Sequence, residues 1–181
     1  FRNMRAFIFT ILLFVGYLGF SQINTPRFSP ATEIKQMVGL TEIAVKYSRP
    51  SMRGRDVFGN LVPYGKIWRT GADSSTKISF STDVMIDGKP IKSGTYSVFS
   101  IPSKNDWVLM LYSDIDLWGV PRDWSDDKIV FSSTYQINKI NQPVESFSIS
   151  FDDLSNNDVN MSLSWEYASI DVRINVPTRS M

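Results

Sequence analysis

The sequence predicts an all-β protein, an antiparallel β-sandwich of jelly-roll-like topology that carries one long irregular loop rich in Arg, Gly and aromatic residues. Three observations lead there. Apolar and polar residues alternate with period two along most of the chain. Turn signals separate the alternating segments, among them an Asp87-Gly88 pair that suits a tight hairpin. No segment carries a sustained apolar stripe at helical spacing.

The elements follow in chain order. Ile34 and Val38 alternate with polar neighbours, Gly39 permits a turn, and Ile43, Val45 and Tyr47 share one face of a returning strand. Ile78 and Phe80 alternate with Lys77, Ser79 and Ser81. Val84 and Ile86 lead into Asp87-Gly88, and a return strand begins near Lys89. Beyond Gly94, Tyr96 and Val98 face one way, Phe99 and Ile101 the other. Ser103-Lys104-Asn105-Asp106 reads as a hairpin loop. The run from Trp107 to Tyr112 contains no polar residue, as expected of a strand covered on both faces. Phe147, Ile149 and Phe151 alternate with serines. Met161, Leu163, Trp165 and Tyr167 are expected on one face, and Ile170, Val172, Ile174 and Val176 on one face of a following strand. Roughly eight to eleven short strands of this kind make a sandwich, with a closed barrel as the alternative.

The length, 181 residues, fits one domain with a core of its own. Apolar residues at 43% and charged residues at 20% are ordinary for a globular chain and argue against disorder. The sequence has no histidine, so Ser-His-Asp and Cys-His catalysis, His-ligated zinc and His-ligated haem are excluded. It has no cysteine either, which removes disulfides, thiolate nucleophiles and iron–sulfur clusters. No cofactor and no metal site is expected.

Residues 1–21 read as a signal peptide. Arg2 and Arg5 precede an uncharged, mostly apolar run from Ala6 to Phe20, and Gly19 and Ser21 are small residues before a cleavage point at Gln22. The run is shorter than the ~20 residues that span a bilayer. Removing it takes two arginines and no acid, so the formal net charge falls from +1 to −1. The sequence therefore gives no electrostatic case for nucleic acid as a partner. Residues 22–30 form a short lead and 31–181 a single β-sandwich domain. The expected location is outside the cytoplasm, periplasmic or extracellular.

One segment departs from simple scaffold. Tyr47 to Thr76 has little alternation and is long for a connection inside one domain, which points to function. Phe58, Leu61, Val62, Tyr64, Ile67 and Trp68 give it apolar anchors. Arg49, Arg53, Arg55, Lys66 and Arg69 give it positive charge, against one acid, Asp56, between the first and last of them. Guanidinium forks suit carboxylate or phosphate recognition. The alternative is that these arginines pair with acids such as Asp114, Asp116, Asp123, Asp126 and Asp127 and merely pin the loop.

The string SRPSMRGRDVFGNLVPYGKIWRTGA, with the later GTYSVFSIP, WVLMLYSD and LSWEYASIDVRINV segments, resembles a family of exported bacterial proteins known as domain of unknown function 2911. The likeness runs from about Ser29 to Val176. It implies export, a single β domain, and a signature at Arg49-Pro50, Gly59 and Pro63 to Ala72. It implies no catalytic residue.

Other constellations remain open. Asp114 with Asp116, Asp126-Asp127 and Asp152-Asp153 are carboxylate pairs of the kind a histidine-free hydrolase needs. Trp107, Trp118, Trp124 and Tyr112 offer a platform for sugars or, equally, core. Calcium-loop and phosphate-loop spacings are absent. The leading expectation is an exported, non-catalytic module that binds a carbohydrate or small anionic cell-envelope ligand through Arg49, Arg53, Arg55, Tyr64, Lys66, Trp68, Arg69 and Trp118. The alternatives are a glycosidase-like hydrolase and a structural protein of an envelope assembly.

Overall fold

Alternation with period two puts apolar side chains on one face of each strand, and such faces are buried by pressing sheet against sheet. The computed structural model describes residues 25–177, so the expected signal segment 1–21 lies outside the described residues. The first sheet contains β1 (Ala31–Val38), β2 (Thr41–Ser48), β3 (Thr76–Phe80), β6 (Gly94–Pro102), β7 (Asp106–Tyr112) and β8 (Ile129–Gln136), hydrogen-bonded in the order β1-β2-β3-β6-β7-β8. The second contains β4 (Val84–Ile86), β5 (Lys89–Ile91), β9 (Asn138–Asp152) and β10 (Asp158–Asn175), in the order β5-β4-β10-β9. All pairings are antiparallel and neither sheet closes on itself. The fold is the sandwich, not the barrel. Among the described residues no helix is long and apolar enough to cross a membrane.

Between the sheets lies the main core. Ile43, Val45, Ile78, Trp107, Leu109 and Leu111 from the first sheet join Ile86, Phe147, Leu163, Trp165, Ile170 and Val172 from the second in one buried cluster. Each such side chain contributes about 1.5–3 kcal/mol by leaving water. A smaller core covers the outer face of the first sheet. There Phe99, Met110 and Tyr112 are buried beneath Ile67, Leu117 and Trp124. Alternate residues of β7 thus face two different cores, which is why Trp107 to Tyr112 tolerates no polar residue.

The last strand differs from expectation. Met161, Leu163 and Trp165 point inward, but Tyr167 is 53% exposed, and Ala168, Ile170, Val172 and Ile174 point inward after it. The inward set changes from odd to even numbers at a bulge. Register shifts flank Glu166, whose φ is +56°. An extra residue there rotates everything after it by one position. The chain then continues as one strand where the alternation suggested two.

The bulge also aims the Glu166 carboxylate at the connection between β2 and β3. Its two oxygens accept the backbone N–H groups of Val57 and Phe58 at 3.1 and 3.2 Å. That connection is anchored at many further points. On one side it runs along the free edge of β9. Met52 N–H donates to the Glu145 carbonyl, Phe147 N–H donates to the Pro50 carbonyl, and Ile149 N–H donates to the Tyr47 hydroxyl at 2.8 Å. On the other side it extends the lane of β3 along β6. Trp68 and Ser100 exchange both backbone hydrogen bonds, and Gly65 N–H donates to the Pro102 carbonyl. One irregular segment therefore covers the edge strand β9 of the second sheet and the part of β6 that β3 leaves unpaired, and satisfies groups that would otherwise invite pairing with another chain.

Two stability predictions follow from these anchors. Tyr47→Phe leaves the Ile149 amide without its phenolic acceptor and is expected to cost about 1–3 kcal/mol in urea unfolding; an unchanged midpoint would contradict the edge-capping role. Glu166→Ala frees the Val57 and Phe58 amides together. Hydrogen exchange should then show these amides losing protection while those of β7 keep theirs.

Candidate functional site

At the end of the sandwich the anchored connection folds over itself and leaves a cleft of about 500 Å³. Arg53, Arg55 and Arg69 line it, with Trp68 and Trp165 as its apolar wall and Phe28 and Ser29 of the lead along its border. Leu61, Val62, Pro50, Ser51, Gly71 and Ala72 complete the lining. No carboxylate is among these residues.

The wall is rigid for a plain reason. The Trp68 ring stacks on Trp165, with centroids 5.7 Å apart and planes 23° from parallel. Phe147 and Phe58 meet both rings edge to face. Both indole N–H groups are used, Trp68 on the Gly71 carbonyl and Trp165 on the Glu145 carbonyl. Such aromatic contacts add about 0.5–1.5 kcal/mol each beyond burial.

Beside the wall the backbone is strained. Thr70, β-branched and fully buried, has φ of +51°, and Asp73 has φ of +59°. Conformations of this kind cost about 1–3 kcal/mol and need surrounding bonds to hold them. The bonds are present: the Thr70 hydroxyl donates to Ser100 Oγ, and its carbonyl accepts from Thr76 Oγ1 at 2.6 Å. The result directs Arg69 into the cleft. Arg69 Nη1 donates to the Asp73 carbonyl at 2.8 Å. Gly119 from the β7–β8 connection covers the same guanidinium; it has φ of +88°, and a Cβ there would stand 3.3 Å from Arg69 Nη1.

The arginines do not pair with the acids that the sequence offered them. Arg53 Nη2 donates to the Phe28 carbonyl, and Arg55 donates from Nε to the Met52 carbonyl and from Nη2 to the Ser51 carbonyl. These bonds to neutral groups orient the guanidiniums but do not cancel their charge. Among the described residues, none of Arg49, Arg53, Arg55 and Arg69 is within ion-pair distance of a carboxylate. Three of the five expected acids are engaged elsewhere. Asp114 binds Lys128 at 2.7 Å, Asp116 binds Lys77 at 3.0 Å, and Asp126 accepts from the Trp124 indole. The hydrogen bond it donates to Asp114 holds the Lys128 ammonium above its ordinary pKa.

The residues singled out from the sequence divide accordingly. Arg53, Arg55, Trp68 and Arg69 meet in the cleft. Arg49 does not: its Nε and Nη2 bond the Phe147 carbonyl and Ser148 Oγ on the edge of β9. Tyr64 lines a different cleft, of about 470 Å³, with Phe58, Lys104 and Glu166. Lys66 is exposed and lines neither. Trp118 is 72% exposed and touches the connection through a backbone bridge to Ser74, outside the cleft. The four aromatics considered as a sugar platform do not assemble into one. Trp107 and Tyr112 are fully buried, and Trp124 stacks on Tyr112 in the outer core. The carboxylate pairs line no part of the arginine cleft, and among the described residues no group of three or more acidic side chains is placed to hold a metal ion.

Phe28, Ser29 and Trp165 join the cleft without having been singled out. Trp165 was legible only as an inward residue of a strand, and nothing in the alternation says that its ring ends beside an opening. Phe28 and Ser29 reach the cleft because Arg49 N–H donates to the Pro30 carbonyl and holds the lead in place.

What this arrangement can do chemically is bounded by its groups. It offers several guanidinium donors and an apolar floor, and it holds no acid–base pair. Charge-assisted hydrogen bonds to an oxyanion are the strongest contacts such a lining can make. No curated protein and no solved structure matches the chain. A family model matches residues 29–174, which take in the cleft except Phe28 and both sheets except the last residue of β10. The chain belongs to the family described as protein of unknown function, DUF2911.

Proposed function

We propose that this protein is an exported binding module that captures an anionic cell-envelope ligand, carbohydrate or small molecule, in the arginine cleft. The observation that carries the reading is the convergence of Arg53, Arg55 and Arg69 on one opening with only neutral protein partners. Like charges held together destabilise the empty cleft, and a bound anion relieves that repulsion. The apolar wall lowers the local dielectric, which strengthens each charged contact. Export is supported by the Arg2 and Arg5 pattern ahead of the apolar run from Ala6 to Phe20.

The test is a thermal-shift series against uronates, phosphate, sulfate and neutral sugars. A ligand at about a hundred times its Kd stabilises by about 2.7 kcal/mol, a readily measured rise in Tm. Arg69→Ala should abolish the rise while lowering the unliganded Tm by only about 2–4 °C, the cost of one hydrogen bond in a domain of this size. A series in which no anion shifts Tm, or in which Arg69→Ala unfolds the domain, would overturn the assignment.

A further inference from the structure

We propose that the arginine cleft is one end of a longer cationic groove whose ligand is a linear polysaccharide bearing carboxylate or sulfate groups at repeated positions. This rests on the anion-binding reading above and narrows it to a class of ligand.

The argument begins with a second cleft, of about 250 Å³, lined by Arg27, Lys46 and Lys77. Three stretches of chain border both openings. Arg27 lines the second and the adjacent Phe28 and Ser29 line the first; Tyr47 and Ser48 line the second, Pro50 and Ser51 the first; Ser74 and Ser75 line the second, Gly71 and Ala72 the first. The two openings therefore share three bordering stretches of chain, and between them in sequence the Arg49 N–H ties the lead down at the Pro30 carbonyl.

Together they present six cations and no carboxylate in their linings. Of the six, Lys77 alone has an ion pair among the described residues, and its partner Asp116 has a side chain 90% exposed, a pair of little strength that a ligand can replace. A single small anion is satisfied by one or two guanidiniums. Six cations in sequence along a groove match charges that recur along a chain.

The polar lining suits sugar. Ser29, half-buried, and Ser74, exposed, lie among the cations and offer neutral hydrogen-bonding groups for hydroxyls. Single-stranded nucleic acid carries repeated charge too, but it binds by stacking bases on open ring faces. The rings here are occupied: Trp68 and Trp165 cover each other, and Phe28 carries the Arg53 guanidinium 5.2 Å from its centroid.

The test uses the purified chain with galacturonate, oligogalacturonates of increasing length, heparin fragments of matched length, and a single-stranded oligonucleotide of matched charge. Affinity for oligogalacturonates or heparin fragments should climb with length until both clefts are spanned, then level off, with a salt dependence that steepens over the same range. The better of the two series identifies the anionic group. The Arg27→Ala/Lys46→Ala pair, both outside the core, should weaken long fragments about tenfold, which is about 1.4 kcal/mol, and leave galacturonate unchanged. Lys46→Glu should weaken them further. Arg69→Ala should weaken long and short ligands alike. If galacturonate binds through Arg69 yet lengthening adds nothing, or the Arg27/Lys46 variant binds long fragments as well as before, the extended groove is refuted and the anion site stands. If no carboxylated or sulfated probe binds at all, both readings fall. Tighter binding of the oligonucleotide than of either polysaccharide overturns the ligand class.

Discussion

The stack of Trp68 on Trp165 joins the irregular connection to the inner face of the second sheet, and the cleft exists because that stack is fixed. Trp68 belongs to the first sheet by its backbone, through the paired bonds with Ser100, and to the interior by its ring. Trp165 stands one residue before the bulge that turns Glu166 back toward Val57 and Phe58. Indole, carboxylate and backbone thus lock the same short stretch from three directions. A connection of this length without such anchors would sample many paths, and its arginines would meet only occasionally.

Placement of charge follows from this rigidity. Five cations in one connection need not stay apart from acids; long side chains on a mobile loop would find Asp114 or Asp116 nearby. Here Arg55 and Arg69 are held by carbonyls of their own segment and Arg53 by that of Phe28, while Lys128 and Lys77 take acids of the β7–β8 connection. The segregation is an outcome of backbone anchoring, because a guanidinium tied to Met52, Ser51 or Asp73 cannot swing toward a distant carboxylate.

Much of this was readable in the chain. Strand alternation gave the two faces of β2, β3, β6 and β9 correctly, and the unbroken apolar run of β7 signalled two covering layers before either was visible. The misplacement of Tyr167 has a single cause. A bulge adds one residue without any change in composition, so a strict alternation carried through Glu166 assigns Tyr167 to the wrong face. At the cleft, charge and turn residues identified the connection, but not which arginine would serve it. Arg49 looks like Arg53 in sequence. Only the unpaired edge of β9, formed almost a hundred residues later in the chain, draws it away to Phe147 and Ser148. Arg27 and Lys46 went unremarked for the complementary reason. Each lies in a separate segment with nothing local to mark it, and they become neighbours only once β1 pairs with β2 and the lead is tied down.

The backbone strain around Arg69 bears on why the connection takes this shape. A connection whose only task was to join β2 to β3 and cap two edges would gain nothing from placing a β-branched residue at positive φ in a buried position. Thr70 does so at a cost of about 1–3 kcal/mol, and the cost is offset by its bonds to Ser100 and Thr76 and by the burial of Trp68 two residues away. Relaxing Thr70 to an extended conformation would turn the preceding peptide and carry the Arg69 side chain off the cleft. The strain is located where the direction of one guanidinium is decided, between a tryptophan that must face inward and a glycine-lined path that must turn back toward β3. Stored strain at such a point is expected of a site set in advance for its ligand, since an arginine already aimed loses less freedom when the anion arrives.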